Sequence, residues 1–190
     1  MIPSGARVLL FSHSIFWLAS NLLAPFLSIF YMSELSGVTL VEIGVSALIY
    51  YLTFGLFEPV AGILADRISG LKDELAFVFI GFIARGVLFI LLAFAENSWH
   101  LYMFQFWLGF FRGLSGPSSK VLYAKFIQSK QSGMLWGLDE SLANLSAALG
   151  AGVGGYLAIE IGFRNMLIVT GLLTIVSGII NYPLIKKLKK

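Results

Sequence analysis

A 190-residue chain with 58% hydrophobic and only 12% charged residues is not composed for water, since soluble domains carry roughly a quarter charged residues. The absence of cysteine excludes disulfides and thiolate metal sites, and two histidines, His13 and His100, are too few for a zinc site. The net charge of +3 is small enough for lipid headgroups to account for it, so no nucleic acid, metal or cofactor is expected.

A hydrocarbon core about 30 Å thick takes about 20 apolar residues in a helix, and six runs of that kind occupy 8–31, 43–65, 75–95, 101–123, 133–159 and 164–185. The first outlasts a signal-peptide core and contains Asn21 and Pro25, which predicts that it is retained as a helix. At helical spacing it aligns His13, Trp17, Asn21, Ala24 and Ser28. The second aligns Ala47, Tyr51, Phe54, Glu58 and Gly62, and also carries Gly55. The third is apolar apart from Arg85, which is expected to pair with an acid such as Glu58. The fourth aligns Gln105, Gly109, Arg112, Gly116 and Ser119. The fifth opens with Asp139, Glu140 and Asn144. It continues with Ala143, Ala147, Ala151 and Gly155 beside Gly150-x-x-x-Gly154, a strip of small residues that lets helix backbones approach. The sixth has no ionisable residue between Arg164 and Lys186. Short links leave no room for a soluble domain. Residues 1–190 read as one all-α, polytopic membrane domain of six transmembrane helices.

Ten of the thirteen Lys and Arg residues lie on one side of this arrangement: Arg7, Arg67, Lys72, Lys120, Lys125, Lys130, Lys186, Lys187, Lys189 and Lys190. The positive-inside rule places both termini in the cytoplasm, in a plasma or inner membrane.

A charge at mid-bilayer costs about 2.5 to 3.5 kcal/mol even on lenient scales, so each needs a partner or a wet cavity. Hydrogen bonding within a solid bundle accounts for any one of the polar residues. Their alignment on several helices favours a cavity, with Trp17, Asn21, Tyr51, Gln105, Arg112 and Asn144 as solute contacts. Three intramembrane acids, Glu58, Asp139 and Glu140, outnumber two cations, Arg85 and Arg112. The carboxyl left over is a candidate proton carrier, because desolvation disfavours its charged form.

The stretch Gly62-Ile-Leu-Ala-Asp66-Arg67, preceded by Pro59 and followed by Gly70 and Lys72, resembles the motif between helices 2 and 3 of the major facilitator superfamily of secondary transporters. Ser69 shifts the second glycine by one place, and Leu71 stands where a basic residue is usual. Arg112-Gly113 with Gly116-Pro117, Gly133 with Gly137, and Gly162-Phe163-Arg164 are similar to features of the family's fourth, fifth and sixth helices. The resemblance spans the chain and implies one half of a twelve-helix transporter, built from two inverted three-helix repeats. A faint internal echo fits: Gly62-x-Leu64-Ala65 against Gly155-x-Leu157-Ala158. By the same resemblance helices 1 and 4 line the cavity, 2 and 5 gate it, and 3 and 6 lie outside. Gly62, Asp66, Arg67 and Lys72 then form a gating motif, with Asp66 at a helix amino-terminus where free N–H groups favour an anion.

The leading expectation is a secondary transporter of a small solute, working by alternating access and coupled to protons. It would function as a parallel homodimer that reproduces the twelve-helix arrangement. Gly55, Ala143, Ala147, Gly150, Ala151, Gly154 and Gly155 are expected at the dimer contact. A second reading is the amino-terminal half of a longer or split transporter. A third is an intramembrane protease, because Gly113-Leu114-Ser115-Gly116 resembles the rhomboid nucleophile motif. That chemistry needs a histidine beside the serine, and the sixth run supplies none. No enzymatic activity is expected.

Overall fold

The computed structural model describes residues 4–67, 71–126, 132–182 and 184. Ser69, Gly70, Lys130, the Lys186–Lys190 cluster and the expected end of the sixth run at Ile185 lie outside them. Helix α1 spans Ser4–Leu23 and helix α2 Leu27–Glu34, joined by one tight turn at Ala24–Phe26 that carries Pro25 at its start. Proline has no N–H to donate to the preceding turn, so the first expected run forms as two helical pieces joined by that turn.

Helix α3, Leu40–Arg67, starts on a reciprocal cap: the Thr39 N–H donates to Glu42 Oε2 at 2.8 Å and the Val41 N–H to Thr39 Oγ1 at 3.2 Å. Helix α4 covers Leu71–Leu92. Helix α5, Ser98–Phe126, begins after Asn97, whose Oδ1 accepts the His100 N–H at 3.1 Å. Helix α6 runs Ser132–Ile180 and is broken at Gly162, where φ is 77° and ψ 160°, a conformation open to glycine and costly for residues with a Cβ. The fifth and sixth expected runs therefore meet at a kink with no intervening loop.

Among the described residues, four helical segments are long and apolar enough to cross a membrane: Gly5–Glu34, Leu40–Arg67, Lys72–Leu92 and Ser132–Ile180. Helix α5 has the length but carries Gln105, Arg112, four serines and two lysines along it. Its polarity fits a position where other helices shield it from lipid.

Helix α1 packs chiefly on α6, α3 on α5, and α4 on both α5 and α6. Glycines make each contact close. Gly109 and Gly113 of α5 lie against the α3 backbone at Tyr50, Phe54 and Glu58, and Gly150 and Gly154 of α6 against α1 at Asn21 and Leu22. Gly86 and Gly171 cross backbone to backbone between α4 and the 163–180 part of α6, where an added Cβ would stand 2.7 Å and 2.5 Å from the opposing carbonyl oxygens. Buried polar bonds pin the same side: Ser12 Oγ donates to the Ser177 carbonyl at 2.8 Å, and Asn181 Nδ2 donates to Ser12 Oγ at 2.7 Å.

This packing corrects one expectation. Gly150 and Gly154 are used inside the chain against α1, so they are not free for a second copy, and Gly155 rests on the Phe26 ring. Gly55 and Ala151 stay exposed, and Ala143 and Ala147 are half-buried. The end of the bundle at the α6 kink is tied by Arg164, whose Nε donates to Glu34 Oε2 at 3.1 Å and Nη1 to the Ala93 carbonyl at 2.7 Å. One side chain thus joins the ends of α2 and α4 to the α6 kink.

Candidate solute cavity

Helices α1 and α5 scarcely touch. The gap between them uncovers α4 behind, and two connected hollows follow it. The larger, about 450 Å³, is lined toward one end by His13, Glu58, Lys120, Trp136, Asp139 and Glu140. The smaller, about 330 Å³, lies toward Tyr31, Ser46, Tyr51 and Gln105. Tyr50, Arg85, Phe89 and Arg112 line both and mark where they meet.

At this junction Arg112 Nη1 donates to the Tyr50 hydroxyl at 2.8 Å, and its guanidinium lies over the Phe54 ring at 4.6 Å. Arg85 is buried, with its guanidinium 4.5 Å over the Phe16 ring and its Nε without a hydrogen-bond partner. Phe16 in turn stacks on Phe82 at 4.8 Å. Stacking on an aromatic face satisfies part of a guanidinium's charge and leaves its in-plane N–H donors free. In the smaller hollow, Gln105 Nε2 donates to the Tyr31 hydroxyl at 2.8 Å, and both are buried.

At the far end of the larger hollow, His13 joins three helices. Its Nε2 lies 2.8 Å from Ser119 Oγ of α5 and its Nδ1 3.3 Å from Asp139 Oδ1 of α6. Beside it, Lys120 Nζ donates to Glu58 Oε1 at 3.1 Å. Nearby but off the cavity, Lys125 Nζ donates to the almost fully buried Glu74 at 2.7 Å.

Trp17, Asn21, Tyr51, Gln105 and Arg112 all line one or both hollows, as do Glu58, Asp139 and Glu140. Asn21 donates its amide to the Trp17 carbonyl at 2.7 Å. Two expectations are corrected. Arg85 does not pair with Glu58, because Lys120 occupies that carboxylate and Arg85 stacks on Phe16 instead. Asn144 is off the cavity: it is exposed and donates back to the Glu140 carbonyl at 2.9 Å, because the contact through Gly150 and Gly154 sets the rotation of that segment. Of the motif after α3, Gly62 is half-buried with open space around it, while Asp66, Arg67 and Lys72 are exposed at the ends of α3 and α4. Ser115 donates to the Phe111 carbonyl at 2.8 Å and packs on Gly81, and His13 bonds to Ser119 rather than to it. Among the described residues no nucleophile–base pair forms at the rhomboid-like motif.

Residues 9–190 match the family model described as Major Facilitator Superfamily. The chain belongs to the Major Facilitator Superfamily. It is an integral membrane protein of that family and not an enzyme. It is 32% identical to the Membrane sensor protein UhpC of Salmonella typhimurium over 73% of this chain and 30% of that protein. It is 27% identical to the Multidrug resistance protein MdtG of Proteus mirabilis, over 72% of this chain and 33% of that protein. To the Quinolone resistance protein NorA of Staphylococcus aureus it is 27% identical, over 96% of this chain and 45% of that protein. The chain thus spans less than half the length of these curated relatives.

Sequence reasoning missed Tyr50, Phe89, Tyr31 and the exposure of Arg85 to the cavity. The spacing Tyr50, Phe54, Glu58 was a usable signal, since it repeats every four residues on one helix face.

Proposed function

We propose that this chain supplies one six-helix half of a secondary transporter that moves a small solute by alternating access. A second copy, inserted in the same direction, completes the pathway. The observation that carries this is an uncovered front. Only 11% of the most apolar stretch of α3 is buried within the chain, against 44% for α4, and among the described residues α1 and α5 scarcely touch across the cavity. The paired contacts of α5 on α3 and of α6 on α1, each through two glycines four residues apart, support two inverted three-helix repeats. In this reading both termini are cytoplasmic. The Glu58–Lys120 and His13–Asp139 pairs sit at the inner mouth, where Glu58 and Asp139 couple proton movement to opening and Glu140 assists. Asp66, with Gly62, Arg67 and Lys72, closes that mouth against the partner's 132–161 segment. Gly55 and Ala151 belong to the contact between copies.

A second reading has an observation of its own. The NorA match takes in 96% of this chain and 45% of that protein, which suits an amino-terminal half joined to a different second half. Reconstituted protein carrying an internal pH dye tests the transport reading. Solute-dependent proton movement that saturates and reverses with the solute gradient supports it. Asp66→Asn is expected to slow that flux with expression unchanged, and no solute-dependent flux across a panel of anions, sugars and lipophilic cations would refute the proposal.

A further inference from the structure

We propose that Arg85 and Arg112 together bind an anionic group, a phosphate or carboxylate, so that the solute is a small anion whose polar remainder points to Tyr31 and Gln105. The inference rests on the transport reading for its site and adds the substrate class.

Arg85 and Arg112 are the charged side chains among the described residues that line the smaller hollow. The acids of the cavity stand at the opposite end of the larger one. Two of them are engaged there: Glu58 by Lys120 at 3.1 Å and Asp139 by His13 at 3.3 Å. A buried cation without a counter-ion is destabilising; Arg85 is one, and half-buried Arg112 shares its junction.

Hydrogen-bond inventory points the same way. Arg112 uses one N–H, toward Tyr50, and Arg85 makes no hydrogen bond to a described residue, with Nε buried and unpartnered. Each guanidinium lies on an aromatic face, over Phe16 and Phe54. That contact fixes its plane and leaves a fork of donors at its edge, the geometry that grips planar or tetrahedral oxyanions. The Tyr31 hydroxyl already accepts from Gln105, so its own proton is free to donate, and Gln105 Oε1 is free to accept. Charged donors at one end and neutral polar groups at the other suit an oxyanion carrying a hydroxylated or amide-bearing body.

The test is thermal unfolding of the full chain in dodecyl maltoside, which supplies no phosphate, with inorganic phosphate, citrate, glucose and tetraphenylphosphonium as probes at matched ionic strength. Phosphate or citrate is expected to raise the midpoint saturably, by about 5 °C at a hundred times its half-saturating concentration. Preference between the two separates a phosphate from a carboxylate solute. Arg85→Gln should weaken that half-saturation at least tenfold while leaving the unliganded midpoint unchanged or higher, and Arg85→Lys should restore part of the affinity. A fall in the unliganded midpoint of Arg85→Gln with no anion effect in the unsubstituted protein would make Arg85 structural and overturn the proposal. Stabilisation by tetraphenylphosphonium alone would also overturn it. Binding is read here without transport: anion binding without flux refutes only the transport reading, and flux of a cation refutes only this one.

Discussion

The rear seam and the front face of this protein use the same small residues to different ends. At the rear, Gly86 of α4 and Gly171 of α6 meet backbone to backbone, and Gly178 lies against Phe82 and Ile83. At the front, Gly55 of α3 and Gly152 of α6 have nothing within 4 Å. Each follows exposed leucines at the same spacing: Leu48 and Leu52 before Gly55, Leu145 and Leu149 before Gly152. Small residues in a membrane helix mark close approach. Whether that approach is satisfied within the chain separates a fixed seam from an open surface, the one proposed here to take a second copy.

The seam should break first. Gly171→Leu must displace the Gly86 carbonyl and Ile90, and overpacking against backbone is expected to cost about 3 kcal/mol, read as a lower unfolding midpoint and poor yield. Next comes the buried pair at the base of α4. Lys125→Met strands the Glu74 carboxylate, which is 2% exposed, and should cost about 2 kcal/mol, the usual penalty for a broken buried pair reduced because Lys125 is partly solvated. Lys125→Met combined with Glu74→Gln should recover much of that loss in the same unfolding measurement.

Changes at the front and the mouth should spare the fold and alter function. Glu58→Gln and Asp139→Asn are each expected to reduce solute-driven proton flux at least tenfold in proteoliposomes, and wild-type flux in both would remove proton coupling through these carboxyls. The smallest effect on stability belongs to Gly55→Leu, expected within about 0.5 kcal/mol of the parent because its side chain meets open space. It should still lower the fraction of assembled protein.

The apolar runs are legible in the sequence because period and length are strong signals, and five of the six expected solute contacts line the cavity because helical phase is set locally. The failures are failures of rotation and of depth. Tyr51 and Tyr50 differ by about 100° around α3, and the one that bonds Arg112 is fixed only when Gly109 and Gly113 seat α5. Asn144 turns about 120° away from the Gly150 contact, a direction no single-helix pattern reveals. Arg85 sits on an otherwise apolar helix, and its access to the cavity depends on α1 and α5 standing apart, a long-range property of the packing.

The central claim is that the uncovered front is half of a symmetric pathway completed by a second copy. It is tested most directly by pairing Gly55→Cys on one copy with Gly152→Cys on a differently tagged copy, both in native-like membranes, followed by oxidation and mass measurement of the intact complex. The account predicts a cross-linked species of two copies, formed between α3 of one and the 132–161 segment of the other. A single uncross-linked chain at every lipid-to-protein ratio would contradict it.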